Sequence, residues 1–143
     1  MKAVQIHHGY FLVFERGEEF LSLFKSFCEH GDLHWGEFSA IGAVEDVEIG
    51  YYDLEARQYV WREEKGPFEV ASMQGNVAEL NESPMIHAHG VLSRCDPSLE
   101  CIGGHFRRAT VAVTLELSFR VITQPLLREY DDETGLNLID FSI

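Results

Sequence analysis

The sequence is poor in positive charge. Eleven Lys and Arg stand against 24 Asp and Glu over 143 residues, a formal net charge of −13. Contact with phosphate backbones rests on Lys and Arg neutralising phosphates, so this balance argues against non-specific nucleic-acid binding. It also argues against anionic membrane surfaces. Net charge says nothing about fold, and a local basic patch is compatible with it. Cysteine is scarce too. Cys28, Cys95 and Cys101 make an odd count with no disulfide framework and a spacing unlike a zinc knuckle. Cys28 falls on the apolar face of a predicted helix, and Cys95 and Cys101 read as reduced loop thiols. No apolar run approaches the length of a membrane span. Met1 to His8 meets histidines before any long apolar run, so no secretory signal is visible. A soluble protein in a reducing, cytoplasmic setting is the expectation. There is no internal repeat and no low-complexity segment. The remainder, 45% hydrophobic and 24% charged, is ordinary for a globular protein and predicts one domain over residues 1–143.

Tyr10 to Glu15 is a short apolar run and predicts a strand, broken at Arg16-Gly17. Glu18 to His30 has helical periodicity, with Phe20, Leu23, Phe24, Phe27 and Cys28 on one face. Glu18 and Glu19 are expected in its first turn, where the helix dipole favours negative charge, and Gly31 just past its end. From Leu33 onward the chain is β-rich. Phe38 to Asp53 predicts two strands or one long bent strand, and Asp53 to Arg57 a turn. Further strands are predicted at Gln58–Arg62, Phe68–Gln74 continuing to Leu80, and Met85–Leu92. Asn81 to Pro84 and Ser93 to Glu100 read as loops. Ala109 to Ile122 is the most strand-like run, with the β-branched content of a core strand. Asp131 to Gly135 reads as a turn and Leu136 to Ile143 as a tail strand. One early helix and many strands predict an α+β domain on a mostly antiparallel sheet.

Chemistry concentrates in two segments, Pro84-Met85-Ile86-His87-Ala88-His89-Gly90 and Gly103-Gly104-His105. Side chains alternate faces along a strand, so His87 and His89 project together while Ile86 and Ala88 face the opposite surface. The Gly-Gly pair lets backbones approach closely or forms a bulge, which can bring His105 near. Three imidazoles leave one coordination position for water or substrate, the arrangement of a catalytic zinc. The bland alternative is a half-exposed surface pair of histidines. If the last strand runs back to His105 without a bulge, Glu116 faces away from His105, so it is given no ligand role.

These segments and others resemble the plants-and-prokaryotes conserved (PPC) domain. The matches, in order, are Gly17-Glu18-Glu19-Phe20, Ala40-Ile41-Gly42-Ala43, Tyr51-Tyr52-Asp53, Phe68-Glu69-Val70, Gly75-Asn76, His87-Ala88-His89, Ile102-Gly103-Gly104-His105 and Thr114-Leu115-Glu116. The resemblance implies an antiparallel sheet with flanking helices, assembled as a homotrimer, in a stand-alone prokaryotic-type domain. It implies a zinc-like metal on His87, His89 and His105. In plants the domain is joined to DNA-binding AT-hooks. This chain has no Arg-Gly-Arg-Pro core, so no direct nucleic-acid contact is expected. The fold is also similar to that of acetolactate decarboxylase, a metal lyase, although function does not follow from fold.

Two functions are open on this reading. One is a trimeric metal-binding module with a structural or regulatory ion. The other is a metal-dependent lyase or hydrolase acting on a small polar substrate. The second needs an acid or base beside the metal. Glu69, Glu79 and Glu82 are the first carboxylates to consider, with Arg107 as an anion clamp, although the plainer reading of all four is a solvated surface charge.

Overall fold

Twenty-one residues, Cys101–Val121, form the strand on which most of the sheet is hung. In the computed structural model, which describes residues 1–141, the order is β1 (Lys2–Ile6), β2 (Gly9–Glu15), α1 (Phe20–His30), β3 (Gly36–Asp53), β4 (Gln58–Glu64), β5 (Phe68–Leu80), β6 (Ser83–Arg94), β7 (Cys101–Val121), β8 (Leu127–Asp131) and β9 (Leu136–Asp140). All nine strands join one sheet, in which β7 lies between β2 and β3 and also pairs with β6. Every pairing is antiparallel except the single bridge of β8 to β5, Glu79 to Leu127. The α+β reading with a mostly antiparallel sheet therefore holds.

The helix packs where its apolar stripe requires. Phe20, Phe24 and Cys28 are fully buried, and Leu23 and Phe27 pack against the same core. Phe24 meets Phe38 and Phe119 edge-on, each at 5.2 Å, and Phe20 meets Phe14 at 5.6 Å. Edge-to-face pairs add about 0.5–1.5 kcal/mol each beyond the area they bury. The helix start differs from expectation. Neither Glu18 nor Glu19 lies inside the first turn. Glu19 is the N-cap, and its carboxylate accepts from Leu21 N, Ser22 N and, across the fold, Ala109 N. Glu18 accepts instead from Glu15 N and pairs with the terminal amine of Met1.

Phe38 to Asp53 proves to be one bent strand, and Phe68 to Leu80 another. The loop expected over Asn81 to Pro84 shrinks to a tight turn. Asn81 and Glu82 both take positive φ, 51° and 61°, as a two-residue hairpin of matching twist requires. Cys101 opens β7 rather than lying in a loop, and β7 runs back through His105. The no-bulge condition for Glu116 fails. The β3–β7 register shifts at three places, two of them between Glu45 and Ile49, so Phe106 and Leu117 both face the core. Glu116 nevertheless pairs with Ile41, far along β7 from His105. Two strands escaped the sequence reading, β1 and β8. The tail strand is described as Leu136–Asp140; Ser142 and Ile143 lie outside the described residues.

Candidate metal centre

β6 buries Pro84, Ala88 and Leu92 on one side and turns His87 and His89 to the other. His89 stands directly opposite His105 in the β6–β7 ladder. The ring centroids of His87 and His89 are 4.9 Å apart, those of His87 and His105 4.9 Å, and those of His89 and His105 5.0 Å. One nitrogen from each ring lies within 4.8 Å of the others, and His105 Nδ1 is 3.2 Å from His89 Nε2. Tetrahedral zinc with bonds of about 2.0–2.1 Å separates its ligand nitrogens by about 3.4 Å. The donor set therefore fits such an ion with small ring movements. Among the described residues this is the one group of three His, Cys, Asp or Glu close enough to share a metal.

The surroundings keep two of the rings uncharged. Burial, then the neighbouring His89 and Arg128, lowers His87 from 6.5 to about 4. Burial, then His87 and His89, lowers His105 likewise to about 4. A neutral imidazole keeps the lone pair that a metal needs. His89 is exposed and forms the open side.

The Gly-Gly pair acts through close approach. Between Gly90 and His105 the β6–β7 register is regular, so no bulge forms there. Gly104 has φ +155°, and a Cβ on it would lie 2.5 Å from the carbonyl oxygen of Gly50 on β3. Gly50 in turn has no room for a side chain beside Trp61, whose Cε3 would lie 2.8 Å from its Cβ. The aromatic wall of β4 can thus close on His105. Tyr59 and Trp61 stack at 4.8 Å and lie 4.9 and 5.7 Å from the His105 ring.

β8 supplies a neighbour that the sequence reading missed. Arg128 Nη2 donates to Asn76 Oδ1 at 2.9 Å and lies 3.4 Å from His87 Nδ1. Its Nη1 donates to the Asn137 carbonyl at 2.8 Å. Asn76 was within reach of sequence reasoning, because it pairs with His87 in the β5–β6 ladder. So were Tyr59 and Trp61, an aromatic-x-aromatic pair on one strand. Arg128 gave no such signal. A cavity of about 360 Å³ opens beside His87 and His105, between Tyr59 of β4 and Arg128, Leu136 and Leu138 of the β8–β9 hairpin. A second, of about 550 Å³, reaches His105 from the helix side past Trp61 and Arg107.

The acidic candidates lie elsewhere. Glu79 accepts from His34 Nδ1 at 2.8 Å, Glu69 lies 4.0 Å from Cys95 Sγ, and Glu82 sits in the exposed β5–β6 turn. Arg107 pairs with Glu48 at 3.1 Å and lies over the Trp61 ring, so the arginine nearest the histidine nitrogens is Arg128. Cys28, Cys95 and Cys101 are free cysteines, and burial pushes the Cys28 thiol up to about 12.

A family model described as the Plants and Prokaryotes Conserved (PCC) domain matches residues 1–123. A structure described as a metal-containing protein from Archaeoglobus fulgidus is 33% identical at TM-score 0.83, over 97% of this chain and 99% of that one. A plant- and prokaryote-conserved protein from Pyrococcus horikoshii is 28% identical at TM-score 0.82, over 92% and 90%. A structure from Bacteroides thetaiotaomicron, described as a candidate DNA-binding protein, is 20% identical at TM-score 0.93, over 99% and 98%, a likeness of fold alone. No curated protein matches the chain.

Proposed function

We propose that this chain, which belongs to the Plants and Prokaryotes Conserved domain family, is a homotrimeric metal-binding domain that holds one divalent ion on His87, His89 and His105. The observation that carries the reading is the set of three imidazole nitrogens within 4.8 Å of one another. The neutrality of His87 and His105 supports it. The description of the Archaeoglobus fulgidus relative as metal-containing agrees with it. Zinc is the ion we favour, because imidazole donors and a four-coordinate site suit it, although copper, iron and nickel also accept imidazole. The trimer rests on family membership. Direct DNA binding is not part of the proposal, since a net charge of −13 opposes phosphate contact.

A second reading, a metal-dependent lyase or hydrolase for a small polar substrate, has one observation in its favour, the cavity of about 360 Å³ that ends at His87 and His105. A three-histidine ion keeps a position open for water or substrate and can polarise a carbonyl. Around it this chain offers hydrogen-bond donors rather than a carboxylate base. Burial raises the Tyr59 phenol above its ordinary value, so it keeps its proton at neutral pH. Arg128 and Arg57 give the cavity positive charge.

Metal analysis of protein purified without a histidine tag tests the main reading. One equivalent per chain is expected, and occupancy should collapse in His89→Ala while the fold survives. Retention of a full equivalent by that variant would overturn the assignment.

A further inference from the structure

Arg128 is a half-buried cation. Most basic side chains of this acidic protein sit against carboxylates, as Lys2, Arg94, Arg107 and Arg120 do. Among the described residues no carboxylate pairs with Arg128. Its three hydrogen-bond partners, Asn76 Oδ1, the Asn137 carbonyl and, at 3.4 Å, His87 Nδ1, carry no negative charge. Its buried Nε has no partner among the described residues. A guanidinium has five N–H donors, so this one retains unused capacity. Holding a charge away from water without an opposite charge is costly, and a bound anion would offset that cost.

The cavity that Arg128 lines says what kind of anion. Its volume, about 360 Å³, lies near the lower end for small-molecule sites. The apolar part of its wall, Tyr52, Tyr59, Met85, Leu136 and Leu138, favours an organic body over an inorganic ion. Arg57, the other arginine of the lining, has Asp131 as an electrostatic neighbour, so Arg128 is the guanidinium left to match one negative charge, and a carboxylate meets its planar fork with two parallel hydrogen bonds. The surrounding acidic molecule repels polyanions.

We infer that this cavity binds a small organic monocarboxylate, with the carboxylate on Arg128 and the apolar body against Tyr52, Met85 and Leu136. The inference deepens the metal reading and rests on it only for what the histidines present to the bound molecule. Arg128 itself needs no metal to hold an anion. Arg128 and the β9 wall lie beyond residue 123, where the family match ends, so this selectivity would be a property of the segment after it.

Calorimetric titration of the full chain near neutral pH, metal-free and zinc-loaded, tests this with isovalerate as the probe. Its neutral isostere isovaleramide and inorganic phosphate serve as comparisons. Saturable one-site binding of isovalerate is expected in both forms, with no saturable binding of the amide and weaker binding of phosphate. Arg128→Gln should weaken isovalerate by about tenfold or more, the worth of a charge-assisted hydrogen bond. Isovalerate that binds equally to Arg128→Gln, or no better than its amide, would overturn the proposal. So would binding seen only with zinc present, or phosphate binding more tightly. Should Arg128→Gln fail to fold, the acid-against-amide comparison on the unaltered protein decides alone. A failed metal reading shows separately, as zinc lost on dialysis while the metal-free chain still binds isovalerate.

Discussion

Two imidazoles held neutral give the histidine cluster its character. Burial makes a protonated His87 or His105 costly, and the cation would also stand against the other rings and Arg128. The consequence for stability has a definite sign. Both groups titrate near 4 in the folded chain and near 6.5 when free, so between those values the unfolded chain binds more protons. The stability of the metal-free protein should therefore fall as pH drops through that window, whereas metal affinity of the folded chain should fall only as pH nears 4, where these rings take up protons. Urea midpoints of metal-free protein between about pH 7 and pH 5 check this, and replacing His105 with Asn should flatten the slope. A midpoint that rises on acidification would contradict the environment assigned to these rings. The pairing of His87 with His89 was legible in the sequence, because strand alternation alone fixes it. The approach of His105 was half legible. Gly103-Gly104 announced close backbone contact, but only the β6–β7 register sets His105 against His89. Arg128 was illegible, since a single basic residue in an unpatterned stretch carries no period.

The elements follow the same logic. The helix and β7 were readable because each spends its apolar residues at one period, on a face the core needs. β1 was not, because all five of its residues are exposed and it pairs only along the outer edge of β2. β8 touches the rest of the sheet through one bridge and has little alternation to read. The β5–β6 turn makes a testable point about Glu82. Its φ of 61° is unfavourable for a residue with a Cβ, and Asn-Gly is the preferred pair for a turn with two positive φ values. Glu82→Gly should therefore stabilise the protein by up to about 1 kcal/mol, read from thermal or urea unfolding. It should leave metal content unchanged, because Glu82 sits outside the histidine group. A loss of metal in that variant would return Glu82 to the site.

At the scale of the whole molecule, one sheet and one helix share a core, and no helix among the described residues is long and apolar enough to cross a membrane. The assembly proposed from family membership would use two different patches on each copy, as closed three-fold rings do. Ile41 and Val113, 61% and 69% exposed, are apolar side chains available for such contacts. Light scattering should return a mass three times that of the 16.3 kDa chain across a wide concentration range. A constant monomer mass would end the trimer proposal. In the same preparation, a gel shift at physiological salt should show no sequence preference for duplex DNA, given the net charge of −13. A specific shift would contradict that.

The central claim is that the three histidines share one ion, and anomalous diffraction at the zinc edge tests it most directly. Crystals of untagged protein grown with equimolar zinc should give one strong peak per chain, about 2.0–2.1 Å from a nitrogen of each of His87, His89 and His105. Zinc found at other residues, or no peak between three intact rings, would contradict the account.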